Sequence, residues 1–419
     1  MGDPDLTRLL GDHASVHSVP GAAIAILRDG EVTSACSGIA DLRTGEPVTP
    51  ETCFAVGSLA KTMVATALAR LASESVLSFD DPAAEHVPEL RGGWGERITV
   101  RDLLANRSRL PLRADVEFSD SDDDLSRFAA EIANGKPTAG FWSYTNAGWS
   151  LLGRALETLT GLTWEEAMRA TLLVPLGMDD TTFTTQAVAE PRAAGHELTA
   201  AGPVPAEPWA PRALGPAGST MSSTTGDLLR FAAAHLDDPA LAALRETHAE
   251  IRIHGWLDAW CLGCARFDWD GGPVWGWDGL VSGQRAVLRL FPEQRAAVAV
   301  LTNGSTGRAM CRSLFGELMP SLIGVSPPPL NLEPTPRAGD LTRFAGIYAW
   351  PDRMWTVEAP GPALAMDGDG HTYEALPIGD RTFLVDPEDP DNPTVTFGAF
   401  DDAGRPGVLY VMLWGLPRI

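Results

Sequence analysis

The sequence predicts an α+β, layered α/β domain followed by a small β-barrel, and three observations carry that prediction. Helix-like and strand-like segments are mixed through residue 323 without regular βα alternation, the pattern of a layered domain. A proline-rich, aperiodic stretch, GVSPPPLNLEPTPRAGD at 324–340, then interrupts the periodicity and reads as a linker. Beyond it come short β-rich pieces between Gly, Asp and Pro turns (FAGIYAW, MWTVEA, TFLVD, TVTFGAF, VLYVMLW), as a small barrel or sandwich requires. The expected units are therefore residues 1–323, a linker at 324–340 and a β domain at 341–419.

Near the start, AAIAILRDGEVTSACSG reads as two strands around an Asp29-Gly30 turn. From Ser58 onward, KTMVATALARLASE is rich in Ala, Leu and Met with apolar residues on nearly every side, which describes a buried helix. Further helices are expected at 147–160, 164–171 and 225–236. GLVSGQRAVLRLFPEQRAAVAVLTNG reads as a pair of buried strands around a Pro-containing turn.

Composition narrows the function classes. The 419 residues are 44% hydrophobic, enough for a substantial core, and no stretch approaches 18 consecutive apolar residues, so no membrane span is expected. The start, MGDPDLTRLLGDHASVHSVP, lacks a basic segment followed by an apolar run, so no signal peptide is expected; the expectation of a cytoplasmic location rests on the cysteines. A net charge of -23 without any basic run argues against nucleic acid as a partner. Five cysteines, an odd number, suggest free thiols. Cys261 and Cys264 form a CxxC with no second ligand pair, and are expected to be buried small residues rather than metal ligands.

Residue usage singles out one position. Of 32 basic residues only Lys61 and Lys136 are lysine. Arginine stays protonated, whereas lysine can lose its proton and then take one from a neighbour. In VGSLAKTMV, Lys61 follows Ser58 by three residues, one helical turn, where side chains approach within about 5–6 Å at Cβ. Serine is a poor nucleophile until a base removes its proton. Burial on an apolar helix and the positive end of the helix dipole both disfavour an ammonium, so Lys61 is a candidate base and Ser58 a candidate nucleophile. The Ser58 backbone N–H is a candidate oxyanion donor. The bland alternative makes Ser58 a helix cap and Lys61 a solvated charge. Tyrosine is also scarce: of four, only Tyr144, in FWSYTNAGWS, precedes the β-rich tail. Its phenol could shuttle a proton to a leaving group, and the Asn146 amide could bond both lysine and substrate.

The ordered set GSLAK, ITVRDLLANRSRLP, YTNAGWSLLGRALETLTG, PLGMDDTTF, PAGSTMSSTTGDLLRF and WGWDGLVSGQ resembles the serine β-lactamase and penicillin-binding-protein superfamily over roughly residues 15–310. That group includes class C β-lactamases, DD-peptidases, D-aminopeptidases, family VIII carboxylesterases and related acyltransferases. The resemblance implies an antiparallel sheet flanked by helices with an all-helical subdomain, and a tail similar to a lipocalin-like barrel. It implies Ser58 as nucleophile, Lys61 as base, Tyr144 with Asn146 as second motif, and no metal or organic cofactor. In the third motif, where many members carry Lys-Thr-Gly or His-x-Gly, this chain has Trp277-Asp278-Gly279. An indole supplies one N–H and no positive charge, so anchoring of a substrate carboxylate is expected to suffer. The Trp-x-Gly version resembles family VIII esterases and some acyltransferases. Gly279 permits close approach of backbone and substrate, and the Leu280 N–H is the expected second oxyanion donor.

Asp278 is expected as a solvated turn residue. Of the clustered Trp256, Trp260, Trp269, Trp275 and Trp277, about two are expected at the site. Arg109 stands where relatives commonly have glycine. The expected partners are a small-molecule acyl donor (ester, thioester or amide) and, if the enzyme transfers rather than hydrolyses, an acceptor alcohol or amine. The alternatives are a D-amino-acid-specific peptidase or β-lactamase, and, from another class, a non-catalytic binding module that keeps the fold.

Overall fold

A computed structural model describes residues 4–108, 110, 123–137, 140–183, 191–335, 340–350, 353–389 and 393–419. The large body is built on an antiparallel sheet of nine strands. These are β1 (Gly21–Arg28), β2 (Glu31–Asp41), β3 (Glu46–Pro47), β4 (Ala249–Ile253), β5 (Leu257–Trp260), β6 (Ala265–Trp269), β7 (Gly272–Val281), β8 (Gln284–Phe291) and β9 (Ala296–Thr302). Their spatial order is β3-β2-β1-β9-β8-β7-β6-β5-β4. The first and last thirds of the body thus meet where β1 pairs with β9, from Ala22 opposite Thr302 to Arg28 opposite Ala296. Strands β8 and β9 are buried along their whole length; β9 is apolar up to its last residue, whereas β8 also buries Gln284, Arg285 and Arg289.

Helices α1 (Pro4–Val16), α2 (Ala60–Ser73), α3 (Asp124–Ala133), α4 (Ala147–Thr160), α5 (Thr225–Asp237) and α6 (Gly307–Ile323) complete the layers. The terminal helices α1 and α6 pack on each other and on the sheet, while α2 and α5 meet it together with the helical subdomain. Helix α2 buries every residue from Ala60 to Leu68, as its unbroken apolar surface demands. The segment expected as a helix at 164–171 runs as α-helix over Trp164–Met168 and then widens into a π turn at Arg169–Leu173. Pro175 follows, and its missing N–H cannot close an α-helical bond to Thr171.

The tail forms eight antiparallel strands, β10 (Gly346–Trp350), β11 (Arg353–Glu358), β12 (Leu364–Gly368), β13 (His371–Pro377), β14 (Thr382–Leu384), β15 (Thr394–Phe400), β16 (Pro406–Val411) and β17 (Trp414–Pro417), paired in sequence order. A bridge between Tyr348 and Arg418 and a bond from the Ile419 N–H to the Ile347 carbonyl bring the last strand back to the first, so the barrel nearly closes. Its interior is a separate apolar cluster around Phe344, Phe383 and Phe397. The described part of the proline-rich segment is tied to the body: Val325 is buried, and Ser326 exchanges both backbone hydrogen bonds with Asp270.

Candidate active site

Three separate parts of the chain converge on Ser58. The first is its own turn. Val56 is anchored by a bond from its N–H to the Met221 carbonyl, Gly57 takes φ +52°, and a 3-10 turn over Gly57–Leu59 leads into α2. That turn sets the Ser58 side chain beside Lys61, whose Nζ lies 3.0 Å from Ser58 Oγ and donates to the Ala217 carbonyl at 2.6 Å. Lys61 is fully buried. With no described carboxylate paired to it, desolvation holds the amine well below the usual lysine range.

The second part is the segment before α4. It places the buried Tyr144 hydroxyl in hydrogen-bonding contact with Ser58, and its ring lies 5.0 Å from Lys61 Nζ. Burial pushes the Tyr144 phenol up as it pushes the Lys61 ammonium down, so both side chains are biased toward their neutral forms. The third part is β7, where the Trp277 indole N–H donates to Tyr144 Oη at 3.3 Å.

The directions of these bonds follow from their ends. An indole can only donate and a carbonyl can only accept. Trp277 therefore gives its proton to Tyr144, and Lys61 gives one to Ala217. Lys61 also donates to Ser58 Oγ, and Ser58 and Tyr144 share a hydrogen bond. The same 3.0 Å contact lets an unprotonated Lys61 amine take the serine proton as the hydroxyl attacks a carbonyl.

Close backbone contact supplies the electrophilic side. A methyl group built on Gly279 would lie 1.8 Å from the Val56 carbonyl and 3.1 Å from Ser58 N, and one on Gly57 would lie 2.5 Å from Leu280 N. Only glycine fits at either position. The two-residue turn Ser282-Gly283 makes Val281 and Gln284 the hydrogen-bonded pair, so the Leu280 N–H points away from β8. That direction is the side on which Gly57 and Ser58 lie. Two backbone donors thus border one small space, the geometry that stabilises an oxyanion.

Several expectations need correction. The Asn146 side chain makes no hydrogen bond to Lys61 among the described residues; the second partner of the amine is the Ala217 carbonyl, because Asn146 begins α4 and is only half-buried. Asp278 is not a solvated turn residue. It sits inside β7, where alternation sends it to the sheet face opposite Trp277, and it pairs with Arg289 at 2.6 Å. Burial pushes its carboxyl up, but the Arg289 guanidinium outweighs that and holds it below the usual carboxylate range. Two of the five tryptophans adjoin the site: Trp260 and Trp277 meet edge to face at 4.8 Å, and Trp260 lies 5.9 Å from Tyr144. Trp256 and Trp269 line a cavity behind the sheet. Trp275 donates to the Arg245 carbonyl. Cys261 and Cys264 are buried thiols against the Arg245 and Leu244 carbonyls. Arg109 lies outside the described residues.

The barrel's role was not legible. The Tyr144 N–H donates to the Leu413 carbonyl at 3.0 Å, and the Gly415 N–H donates to Ser143 Oγ at 3.1 Å. Trp142 packs on Tyr410 at 6.0 Å between ring centres. The β16–β17 hairpin therefore holds the segment that carries Tyr144. A Cβ on Gly415 would come within 2.7 Å of the Trp142 carbonyl. Gly415→Val should consequently cost about 1–3 kcal/mol of stability through overpacking, and slow acylation of Ser58. Denaturant melts and burst kinetics with a nitrophenyl ester check both; unchanged acylation would detach the barrel from the site. Trp277→Phe keeps the ring packing and removes the donor. It should lower kcat/KM about two- to tenfold, the worth of one neutral hydrogen bond, in steady-state ester hydrolysis.

Comparison with known proteins places the chain in a family. The profile of the family described as Beta-lactamase matches residues 6–313, which spans the sheet, α2 to α5 and all three converging segments. The chain belongs to the beta-lactamase family. This family member is 33% identical over 357 residues to "Penicillin-binding protein 4" of Amycolatopsis lactamdurans, covering 79% of the present chain and 93% of that one. The crystal structure of SurE superposes with a TM-score of 0.84 at 28% identity, over 99% of this chain and 98% of SurE, barrel included. SurE solved with D-Leu gives 0.81 at 27% over 99% of each chain. A class C beta-lactamase from Rhodobacter sphaeroides shares the fold at TM-score 0.62 and 20% identity, over 74% of this chain and 98% of the other. Among the described residues, no helix is long and apolar enough to cross a membrane.

Proposed function

We propose that this protein is a serine acyl-enzyme hydrolase or acyltransferase whose acyl donor is an activated ester or thioester of an apolar, D-configured aminoacyl or peptidyl group. Ser58 Oγ attacks the donor carbonyl as Lys61 Nζ takes the hydroxyl proton, and the Ser58 and Leu280 N–H groups hold the oxyanion. The C–O or C–S bond then breaks. Tyr144 gives its proton to the leaving group and recovers one from the Lys61 ammonium. Water, or an amine or alcohol acceptor, attacks the acyl-serine by the reverse route.

One observation carries the choice of donor: Trp277 spends its only N–H on Tyr144, and the next residue's charge is on the other face of β7. That strand therefore brings no cation to the site, which favours acyl groups without a free carboxylate at the scissile end. The D configuration rests on the whole-chain likeness to SurE, a structure of which is described with D-Leu. Matched nitrophenyl esters of N-acetyl-D-leucine and N-acetyl-L-leucine test the reading, with intact-mass detection of the acyl adduct and peptide mapping. The D ester should acylate Ser58 faster; an adduct elsewhere, or an L preference, would sink it. Added amines then separate transfer from hydrolysis, through the ratio of amide to acid released.

A second reading, penicillin acylation, is favoured by the likeness to "Penicillin-binding protein 4". Fluorescent penicillin should label the protein slowly if Trp277 weakens carboxylate anchoring; rapid, stoichiometric labelling would reverse the ranking.

A further inference from the structure

Behind β7, on the face away from Ser58, lies a cavity of about 270 Å³, just below the roughly 300–1,000 Å³ usual for small-molecule sites. The sheet forms its floor, α6 one wall, and the proline-rich segment at 327–330 with Thr382 of the barrel its rim. Its charge is opposite in sign to that of the chain. Four arginines, Arg252, Arg289, Arg308 and Arg312, line it against two aspartates, Asp258 and Asp278, whereas the whole sequence carries 55 acidic and 32 basic residues.

These arginines are built into the wall. Arg308 stacks 3.6 Å from the Trp256 ring centre and donates to the Gly255 carbonyl, which also accepts from Arg312. Arg289 lies 4.0 Å over Phe267 and pairs with Asp278 through Nη1. Its Nε is buried and has no hydrogen-bond partner among the described residues, although Arg289 is only 6% exposed. A buried donor left unmatched is unfavourable, and an acceptor brought to it offsets that cost. Trp269, Phe315 and Leu330 supply an apolar lining opposite these charges.

We infer that this cavity is a binding site for a small amphiphilic carboxylate, with its anionic end on Arg289 and Arg308 and its apolar body against the tryptophans and Leu330. A planar guanidinium fork matches a carboxylate, and the aromatic lining has no use in binding a bare inorganic anion. The site is separate from the serine cleft: β7 sends Trp277 to one face and Asp278 to the other.

The experiment is isothermal titration of the full-length protein with 4-phenylbutyrate, with neutral 4-phenylbutanamide and inorganic phosphate as comparisons. Saturable binding of the carboxylate is expected, at least tenfold tighter than that of the amide or of phosphate. Arg308→Gln should weaken it at least tenfold. Leu330→Trp, which fills the cavity from its rim and removes no charge, should do the same, so that a folding defect in the arginine variant does not decide the matter. Ser58→Ala should bind as the parent does. No saturable binding, equal binding of the amide, tighter binding of phosphate, binding untouched by Leu330→Trp, or binding lost in Ser58→Ala would each overturn the assignment.

Discussion

Lys61→Arg should lower acylation of Ser58 by about 10²- to 10⁴-fold, the usual contribution of a positioned general base. The substitution keeps a cation and removes its capacity to accept a proton. Lys61 is wholly buried, and its two described bonds go to a hydroxyl and a carbonyl rather than to a carboxylate, so the ammonium is the disfavoured form. Lys61→Met separates the chemical from the structural effect. It too should be inactive, yet folded. The sign of its stability change follows from linkage. In the parent the folded-state amine has a depressed pKa, so between that pKa and the unfolded value near 10.4 the unfolded chain holds the extra proton, and stability rises with pH. Below the folded pKa both states are protonated and the full penalty of burying the charge remains. Lys61→Met lacks this dependence, so its stability advantage over the parent should shrink as pH is raised toward 10. Chemical denaturation at several pH values checks it. Turnover should rise with pH through the depressed lysine pKa and level off above it, because Tyr144 is held up by burial and remains a phenol. Appreciable ester turnover by Lys61→Arg would remove lysine from the base role.

Gly279→Ala should cost a further large factor, about 10²- to 10³-fold in kcat, the worth of an oxyanion donor. The added methyl cannot occupy its place without moving β7 away from the Val56 carbonyl, since the contact would be 1.8 Å. That shift carries the Leu280 N–H away from Ser58. KM should change much less than kcat, because the donors act on charge that develops in the transition state. Pre-steady-state acylation together with a thermal melt resolves the cases: an active, stable Gly279→Ala protein would show that β7 has room to yield and that the Leu280 N–H is dispensable.

The catalytic candidates were legible for chemical reasons. Lysine is scarce here, so Lys61 stood out, and its spacing from Ser58 is a local property that one helical turn reproduces. Tyr144 stood out in the same way. The strands around Asp29-Gly30 and the helices at 147–160 and 225–236 were readable because period and turn residues act over a few positions. Asp278 was misread because its neighbours Gly276 and Gly279 suggest a turn, while its burial depends on Arg289, a residue of the adjacent strand. Asn146 was a candidate partner of the lysine by residue type, whereas the described partner is the Ala217 carbonyl, and nothing local distinguishes one carbonyl from another.

The sequence by itself determined which side chains can exchange protons, where the buried strands and helices lie, and that a β-rich unit follows a proline-rich break, because each of these is written in residue type and short-range period. Only the tertiary structure decided how far the lysine is desolvated, where the barrel hairpin grips the segment before α4, and that an arginine-lined cavity lies behind the serine. Those properties come from contacts across hundreds of residues, such as Tyr144 with Leu413 and Lys61 with Ala217, and such contacts form only when segments distant in the chain share a sheet or a core.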